Sequence, residues 1–301
     1  MSSKVNRIRR QWAIVFLIPS LLILGLVAVV PLARTIWFSF TDASLADLST
    51  YKNVGIANYI DILKDPEWWQ SLKNTLWFAV ISVALETVLG MGIALVLDQA
   101  FKGRSLLRAA VMVPWAIPTV VSAKMWSWMF HDLYGVVNDI LSRLHLISAP
   151  VAWLASPSLS MMAVILVDVW KTTPFMTLLI LAGLQSIPGD IYQSAAIDGA
   201  GRVKTFFKIT LPLIKPALAV AIIFRTLDAL RVFDLIYIMT TNSSDTASIS
   251  VYARKNMIDF QDLGYGSAIS VLIFGLIALF TVIYVSTSKL NFMGGSSEKV
   301  N

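Results

Sequence analysis

The chain has 301 residues, of which 57% are apolar and only 14% are charged. Soluble domains contain about 45–50% apolar and about 25% charged residues. Because the apolar residues here form long blocks, the composition excludes an ordinary soluble domain and indicates a membrane protein. A net charge of +6 can indicate nucleic-acid binding, but the positions of the charges explain it without nucleic acid. The absence of cysteine excludes disulfide bonds and thiolate metal sites.

The N-terminal residues 1–11 are basic, and residues 12–33 that follow have no charge. This uncharged run is long enough to cross the hydrocarbon core of a bilayer as a helix. A cleavable signal peptide is the alternative, but its apolar core would be too long and no small-residue cleavage site precedes residues 31–34. We therefore predict a basic cytoplasmic N-terminus followed by a retained first span.

Five further apolar blocks predict five further spans, and so an all-α integral membrane protein with six transmembrane helices. They are residues 75–97, 109–130, 159–184, 217–241 and 263–288. With a cytoplasmic N-terminus, the inner segments contain thirteen lysines and arginines and the outer segments seven. The positive-inside rule then predicts that both termini are cytoplasmic. The predicted transmembrane domain covers residues 12–293, and residues 294–301 form a cytoplasmic tail.

One predicted cytoplasmic loop, residues 187–216, has the pattern of two short helices joined by a turn. The first helix is expected to end at Asp198-Gly199, since glycine permits positive φ and aspartate can bond to nearby backbone. A second helix over residues 202–211 is expected to end at Pro212 and Pro216, before the fifth span. Such a rigid bend suits the docking of a soluble partner, although an ordinary interfacial loop can have the same pattern.

This loop resembles the EAA loop of the permease subunits of ABC importers. The family pattern is Glu-Ala-Ala, then Asp-Gly-Ala, then Phe, Ile and Leu-Pro. The matching positions are Gln193, Ser194, Ala195, Asp198, Gly199, Ala200, Phe206, Ile209, Leu211 and Pro212. Gln193 stands where glutamate is usual, which removes one negative charge, and Ser194 stands where the first alanine is usual. The resemblance implies that this loop forms a coupling helix that docks on an ATPase subunit.

Other segments are similar to sugar permeases of the same family, and residues 169–175 and 224–234 are similar to the trehalose/maltose type. The resemblance implies a type I ABC importer permease fold in a bacterial or archaeal cytoplasmic membrane. It also implies a trehalose- or maltose-like α-glucoside as substrate, moved by alternating access. The implied partners are a second permease subunit, an ATP-binding cassette ATPase dimer and an extracytoplasmic sugar-binding protein, which residues 41–74 and 240–262 would contact.

The sequence contains no phosphate-binding loop of the form GxxxxGK[ST]. ATP and Mg are therefore expected on the partner ATPase, and this chain is expected to bind no cofactor and to catalyse no reaction. A self-contained secondary transporter or a channel subunit is the alternative. A secondary transporter would predict inverted repeats or discontinuous helices, and a channel would predict a pore-lining filter segment; none of these is evident in the sequence.

Eight ionisable residues fall within the predicted spans, where such groups usually face a bundle interior or a water-filled path. Asp168 and Lys171 are three residues apart on one predicted helix and can meet. Four others recur every three residues with alternating sign, so on one continuous helix they would spiral across about half its surface. They form either a structural ion-pair network or a set of groups that contact substrate. The eight are Glu86, Lys124, Asp168, Lys171, Arg225, Asp228, Arg231 and Asp234.

A neutral sugar needs hydrogen-bonding groups for its hydroxyls and an aromatic or apolar face for its C–H surface. We hypothesise a substrate path that draws both from the fourth and fifth predicted spans; the alternative is that the partner permease holds the sugar. The candidates are Trp170, Lys171, Thr172, Thr173, Arg225, Asp228, Arg231, Phe233, Asp234 and Tyr237. Pro114 and Pro118 in the third span are interpreted as kinks that serve packing.

Overall fold

The structure is a computed structural model that describes residues 2–241 and 243–287, and for residues 2–11 it describes the backbone only. The predicted tail, residues 294–301, lies outside the described residues. Within these ranges the regular secondary structure is helical, as the all-α prediction requires. The helices are α1 (Ser2–Leu24, a π-helical turn Gly25–Val29, and Val30–Phe38), α2 (Ala57–Lys64), α3 (Pro66–Asp98), α4 (Arg104–Ala116), α5 (Thr119–Met129), α6 (Val136–Arg143), α7 (Pro157–Gln185), α8 (Gly189–Ile197), α9 (Arg202–Ala229), α10 (Asp234–Thr240), α11 (Ile249–Arg254, with a π-helical turn Lys255–Asp259) and α12 (Leu263–Thr287).

Five helices among the described residues are long and apolar enough to cross a membrane, namely α1 from Trp12 onward, α3, α7, α9 and α12. Helices α4 and α5 pass the same test together as one span bent by 88°, which raises the number to six. The predicted number of spans is confirmed when this bent pair is taken as one span.

The chain divides into two compact units, of which the second comprises residues 66–252 and 275–301. In this unit α7 packs along α3 and also contacts α4, α9 and α10. Close approach of α3 and α7 requires a small residue, because a Cβ atom at Gly90 would lie 2.9 Å from Met176 Cγ. Helix α7 is therefore the central helix of this unit, and its polar residues are placed among the neighbouring spans.

The first unit comprises residues 1–65 and 253–274. Its segment after α1 is folded by backbone contacts and one asparagine. Ser44 pairs with Asp262 in an isolated β-bridge. The Asn58 side chain donates to the carbonyls of Ser39 at 3.0 Å and Thr41 at 2.9 Å. The predicted outer segment is thus an ordered structure.

The third predicted span is a broken helix. α4 ends at Ala116, Ile117 is extended with ψ 131°, and Pro118 precedes α5. Proline donates no N–H and disfavours the α conformation in the residue before it, so the chain turns by 88° at this point. Pro114 lies inside α4 without breaking it. The expected kink is therefore a complete break, and it leaves the Ile117 carbonyl outside both helices.

The fifth predicted span, residues 217–241, is wrong at both ends. α9 begins at Arg202, within the predicted cytoplasmic loop, and ends at Ala229. Residues 230–233 are not helical, and Asp234 begins the separate helix α10. The four alternating charges therefore do not follow one continuous helical spiral. Discontinuous helices, which the sequence did not reveal, occur at both the α4–α5 and the α9–α10 junctions.

Pro212 and Pro216 do not end a separate helix as predicted. The Leu211 N–H bonds to the Phe206 carbonyl, which gives a π-helical turn over Phe206–Thr210 immediately before Pro212. A π-helical turn shifts the hydrogen-bond register of a helix, and α9 continues past the missing proline donor. The second helix of the loop and the fifth span are consequently one helix.

Candidate substrate site and coupling loop

The centre of the site is a buried ion cluster on three helices. Arg225 of α9 is 2% exposed, and Glu86 of α3 is fully buried. Arg225 Nε donates to Glu86 Oε2 at 2.5 Å and Nη2 donates to Glu86 Oε1 at 3.0 Å, a bidentate pair. Nη2 also donates to Asp168 of α7, and Nη1 donates to Asp228 Oδ2 at 3.3 Å. One guanidinium therefore ties α3, α7 and α9 together.

Lys171 does not pair with Asp168, although their spacing on one helix allows the two to meet. Its Nζ donates to the Ile117 carbonyl at 2.8 Å, while Asp168 accepts from Arg225. The reason is the break at Pro118, which leaves that carbonyl without a helical donor. Lys171 thus fixes the bent span against α7.

The buried charges balance one another. Arg225 and Lys171 are cations, Glu86 and Asp168 are anions, and all four are buried. An unpaired charge in such a place would be very costly. This balance supports the structural ion-pair interpretation for these four groups.

A polar cavity of about 180 Å³ lies beside the cluster. Asp228 and Arg231 reach it from the end of α9 and the break after it, and each side chain is 64% exposed. Arg231 Nη2 lies 3.8 Å from Asp228 Oδ1, which leaves both groups able to bond to a ligand. The lining residues are Phe78, Thr119, Asp168, Lys171, Thr172, Arg225, Asp228, Arg231, Val232, Phe233, Asp234 and Leu235.

Most of the predicted path residues meet at this cavity. Those in its lining are Lys171, Thr172, Arg225, Asp228, Arg231, Phe233 and Asp234. The other three lie elsewhere. Trp170 packs edge-on against Trp126 at 5.4 Å between ring centres, and Tyr237 stacks on Phe233 at 5.3 Å. Thr173 is buried, and its hydroxyl has no hydrogen-bond partner among the described residues.

Six residues of the site were not among the predicted path residues. Asp168 and Glu86 are the partners of Arg225, and Phe78, Thr119, Val232 and Leu235 line the cavity. The position of two acids inside predicted spans was a signal for the first pair. No sequence signal marks Phe78 or Thr119, since their position depends on how α3 and the broken span pack.

The predicted turn of the coupling loop is confirmed in its backbone. Gly199 has φ +68°, a conformation that glycine adopts without strain. The Ala200 N–H bonds to the Ala195 carbonyl at 2.9 Å and the Gly199 N–H bonds to the Ala196 carbonyl at 3.1 Å. These two bonds form a Schellman motif at the end of α8. The Tyr192 hydroxyl lies 3.2 Å from Thr210 Oγ1, which links α8 to α9.

The surface of this loop is unusually apolar. Ile197 is 87% exposed, Val203 72% and Phe207 61%. Among the residues of the family pattern, Ala195 is buried, Ala200 and Phe206 are half-buried, and Gln193, Ser194, Asp198, Gly199 and Pro212 are exposed. Exposed apolar patches of this kind mark interaction sites.

Polar groups gathered where membrane helices are interrupted are typical of proteins that move solutes across a bilayer, and the fold and the site define a transport permease of this kind. The chain belongs to the family described as "Binding-protein-dependent transport system inner membrane component", which matches residues 86–289.

Similar proteins include the "Trehalose/maltose transport system permease protein MalF" of Thermococcus litoralis, 44% identical over 96% of this chain and 97% of that protein. The "Sulfoquinovosyl glycerol transport system permease protein SmoG" of Agrobacterium fabrum is 39% identical over 92% of this chain and 90% of that protein. The "Trehalose transport system permease protein SugA" of Mycobacterium tuberculosis is 39% identical over 95% of this chain and 91% of that protein.

Solved structures show the same fold. A bacterial ABC transporter involved in the import of the acidic polysaccharide alginate contains a chain with a TM-score of 0.83 and 23% identity, which covers 95% of this chain and 98% of that one. A bacterial alginate ABC transporter in complex with an alginate pentasaccharide-bound periplasmic protein contains a chain with a TM-score of 0.82 and 22% identity. The match covers 94% of this chain and 96% of that one. The family and the relatives above make the chain a multi-pass inner membrane permease of a sugar ABC importer, which favours this prediction over the alternative of a self-contained secondary transporter or channel subunit.

Proposed function

We propose that the chain imports a neutral disaccharide of the trehalose or maltose type, and that its polar cavity contributes to the sugar site. The observation on which this rests is the exposed pair of Asp228 and Arg231 in the cavity. A carboxylate and a guanidinium side by side accept from and donate to neighbouring sugar hydroxyls. Phe233, also in the lining, offers an aromatic face for the C–H surface.

The charge of the cavity favours a neutral sugar over an acidic one. Its exposed ionisable groups are Asp228, Arg231 and Asp234, two acids and one base. The charge of Lys171 is directed to the Ile117 carbonyl. An anionic sugar would therefore meet a net negative charge at close range. This supports a substrate like that of the trehalose/maltose relative more than that of the sulfoquinovosyl glycerol relative.

A stacked aromatic pair lies one turn further along α7, outside the lining of the cavity. Trp115 and Phe175 lie 5.8 Å apart between ring centres, with their planes inclined by 17°. Phe175 is one turn beyond Lys171 and Thr172 on α7, and both rings of the pair are partly exposed. Such rings suit the apolar face of a pyranose.

The loop over residues 187–216 is proposed to dock on the ATPase. Its apolar residues Ile197, Val203 and Phe207 are exposed around a turn fixed by hydrogen bonds. A rigid apolar projection can transmit a displacement to α9, which is continuous from this loop to Arg225. Movement of the ATPase subunits would thereby reach the ion cluster directly.

The remaining partners follow from this role. A second permease would complete the path, a dimer of ATPase subunits would hold ATP and Mg, and an extracytoplasmic binding protein would deliver the sugar. The lysine and arginine distribution supports cytoplasmic termini. In the proposed cycle, ATP binding draws the coupling loops together and opens the cavity outward, and hydrolysis restores the inward-facing state.

The proposal is tested by uptake into proteoliposomes that contain the chain with its partner permease, ATPase and binding protein. We expect ATP-dependent uptake of labelled trehalose or maltose and little uptake of a sugar sulfonate or uronate. Gly199→Pro is the coupling control, because proline cannot adopt the positive φ of this position. Uptake by the chain without the ATPase would contradict the ATP-driven mechanism.

The sugar site is tested separately by neutralising two of its groups. The double variant Asp228→Asn/Arg231→Gln should reduce apparent affinity or rate of uptake, since it removes one acceptor and one cation that are exposed in the cavity and support no buried contact of the bent span. Lys124→Met, an exposed lysine on α5, is the matched control and should have no effect. Unchanged affinity and rate in the double variant would remove this cavity from the sugar path.

A further inference from the structure

The loop between α5 and α7 presents an apolar surface that the protein itself does not cover. We call this surface the outer apolar patch, and it consists of Leu133, Tyr134, Val136, Ile140, Leu144 and Leu146. The residues of the patch are between 38% and 83% exposed. Large exposed apolar patches on folded proteins mark contacts with partners or membranes.

The patch follows from the helical spacing of α6. Val136, Ile140 and Leu144 recur every four residues and share one stripe, which is exposed. Val137 and Asn138 face the protein interior instead, because Val137 packs on the core and Asn138 is buried. The helix therefore has an exposed apolar stripe and, beside it, a sector that is packed against the protein.

The polar sector of α6 lies on a different side of the helix from the exposed stripe and from Val137 and Asn138. It contains Asp139, Ser142 and Arg143, all exposed. Arg143 Nε donates to Asp139 Oδ1 at 3.0 Å. A helix with one charged face and one uncovered apolar face is suited to lie in the plane of a membrane interface.

Asn138 fixes the orientation of this helix. Its side chain donates to the carbonyls of Asp132 and Val151 at 3.1 and 3.0 Å. It also accepts from the Val151 N–H at 3.2 Å and from Trp153 Nε1 at 2.9 Å. These four bonds tie α6 to both ends of the loop, so the exposed stripe is a fixed surface.

The patch continues the apolar surface of the membrane span before it. α5 ends at Met129, four residues before Leu133, which limits the separation along the chain to about 14 Å. Trp128, in the last turn of α5, is 63% exposed, and its ring centre lies 6.1 Å from that of Tyr134. Aromatic rings are enriched at the level of the lipid headgroups.

We propose that α6 is an interfacial helix whose outer apolar patch inserts between lipids at the bilayer surface where α5 ends. The charged sector with Asp139 and Arg143 faces water. The loop would thereby hold the end of the broken span at a constant depth, at the opposite end of α5 from Thr119 in the cavity lining, independently of which sugar is carried.

The test uses the absence of cysteine from the chain. Nitroxide labels are placed singly at Leu144→Cys and Ile140→Cys, with Ser142→Cys on the polar sector as the matched control. The full transporter complex is reconstituted in phospholipid vesicles, and collisions of each label with O₂ and with a water-soluble nickel chelate are measured. All three positions are exposed, so no core contact is lost.

At Leu144 and Ile140, O₂ collisions should exceed those with the nickel chelate, and at Ser142 the ratio should reverse. Addition of the binding protein should leave the Leu144 and Ile140 values unchanged. High nickel accessibility at these two positions would show a patch in water and overturn the proposal. Low accessibility to both reagents, or shielding that begins when the binding protein is added, would assign the patch to a protein contact instead.

Discussion

Arginine suits position 225 because its guanidinium offers five N–H donors in one plane. Four hydrogen bonds from this group reach Glu86, Asp168 and Asp228. A lysine would present a single ammonium and could not make the bidentate contact with Glu86. Arg225 is therefore a positioning residue that holds three acids, of which Asp168 and Asp228 line the cavity.

Replacing Arg225 by methionine should destabilise the protein strongly. The change leaves Glu86 and Asp168 buried beside each other without their cation, and breaking a buried ion pair typically costs about 3–5 kcal/mol. The measurement is the thermal unfolding midpoint of the purified complex, together with the yield of assembled complex.

Arg231→Met is the matched control for this prediction. Arg231 carries the same side chain but is 64% exposed, so its removal should change the free energy of unfolding by less than about 1 kcal/mol. Its effect should be on sugar uptake. Equal destabilisation by the two substitutions would contradict a special role for the buried cluster.

The sequence marks the members of the cluster more clearly than their pairing. Glu86 and Arg225 are 139 positions apart, and no local pattern connects them. The spacing of Asp168 and Lys171 on one helix allows them to pair, but both groups bond to partners on other elements instead. Which charges are buried together depends on helix packing, which spacing alone does not determine.

At the scale of the elements, the broken span α4–α5 depends on Lys171. Its Nζ bonds to the Ile117 carbonyl at 2.8 Å, at the one point where helical bonding fails. Lys171→Met should lower the free energy of unfolding by about 1–3 kcal/mol. The Ile117 carbonyl loses its donor, and the buried acids lose one of the two cations that balance them. Lys171→Arg, which keeps both the charge and donors, should recover part of the loss. The thermal unfolding midpoint and the rate of uptake should fall together in the methionine variant. A methionine variant as stable as the original protein would contradict the role of Lys171 in holding the broken span.

The coupling turn offers a second test at this scale. A non-glycine residue in the left-handed conformation is strained by about 1–2 kcal/mol, so Gly199→Ala should distort the turn at φ +68°. Gly201→Ala is the matched control, because Gly201 has φ −68° and open space around its Cα. We expect less ATPase to copurify with the Gly199→Ala permease, and lower ATP-dependent uptake. Identical behaviour of the two variants would contradict a requirement for this turn.

Three breaks between helices differ in how far the sequence predicted them. Asp198-Gly199 and Pro118 act through local backbone chemistry, and both mark real breaks in helix. The break after Ala229 has no proline or glycine between residues 217 and 241. It is held by tertiary contact, since Ser248 Oγ donates to the Val232 carbonyl at 2.7 Å. A break made by a distant residue leaves no local sequence signal.

For the whole molecule, the size of the cavity leads us to expect that one chain forms only part of the proposed sugar site. Ligand pockets that enclose a small molecule measure about 300–1,000 Å³, and this cavity measures about 180 Å³. Its exposed members Asp228, Arg231 and Asp234 are available to a ligand held between this chain and another.

The purified chain alone should therefore bind labelled trehalose or maltose weakly or not at all, whereas the complex with its partner permease should bind it. Equilibrium binding on both preparations measures this, with thermal unfolding of the lone chain to establish that it is folded. Asp228→Asn/Arg231→Gln in the complex should abolish the difference if this chain contributes contacts. Full binding in that double variant would place the sugar on the partner permease, and stoichiometric binding to the lone chain would show that one subunit forms a complete site.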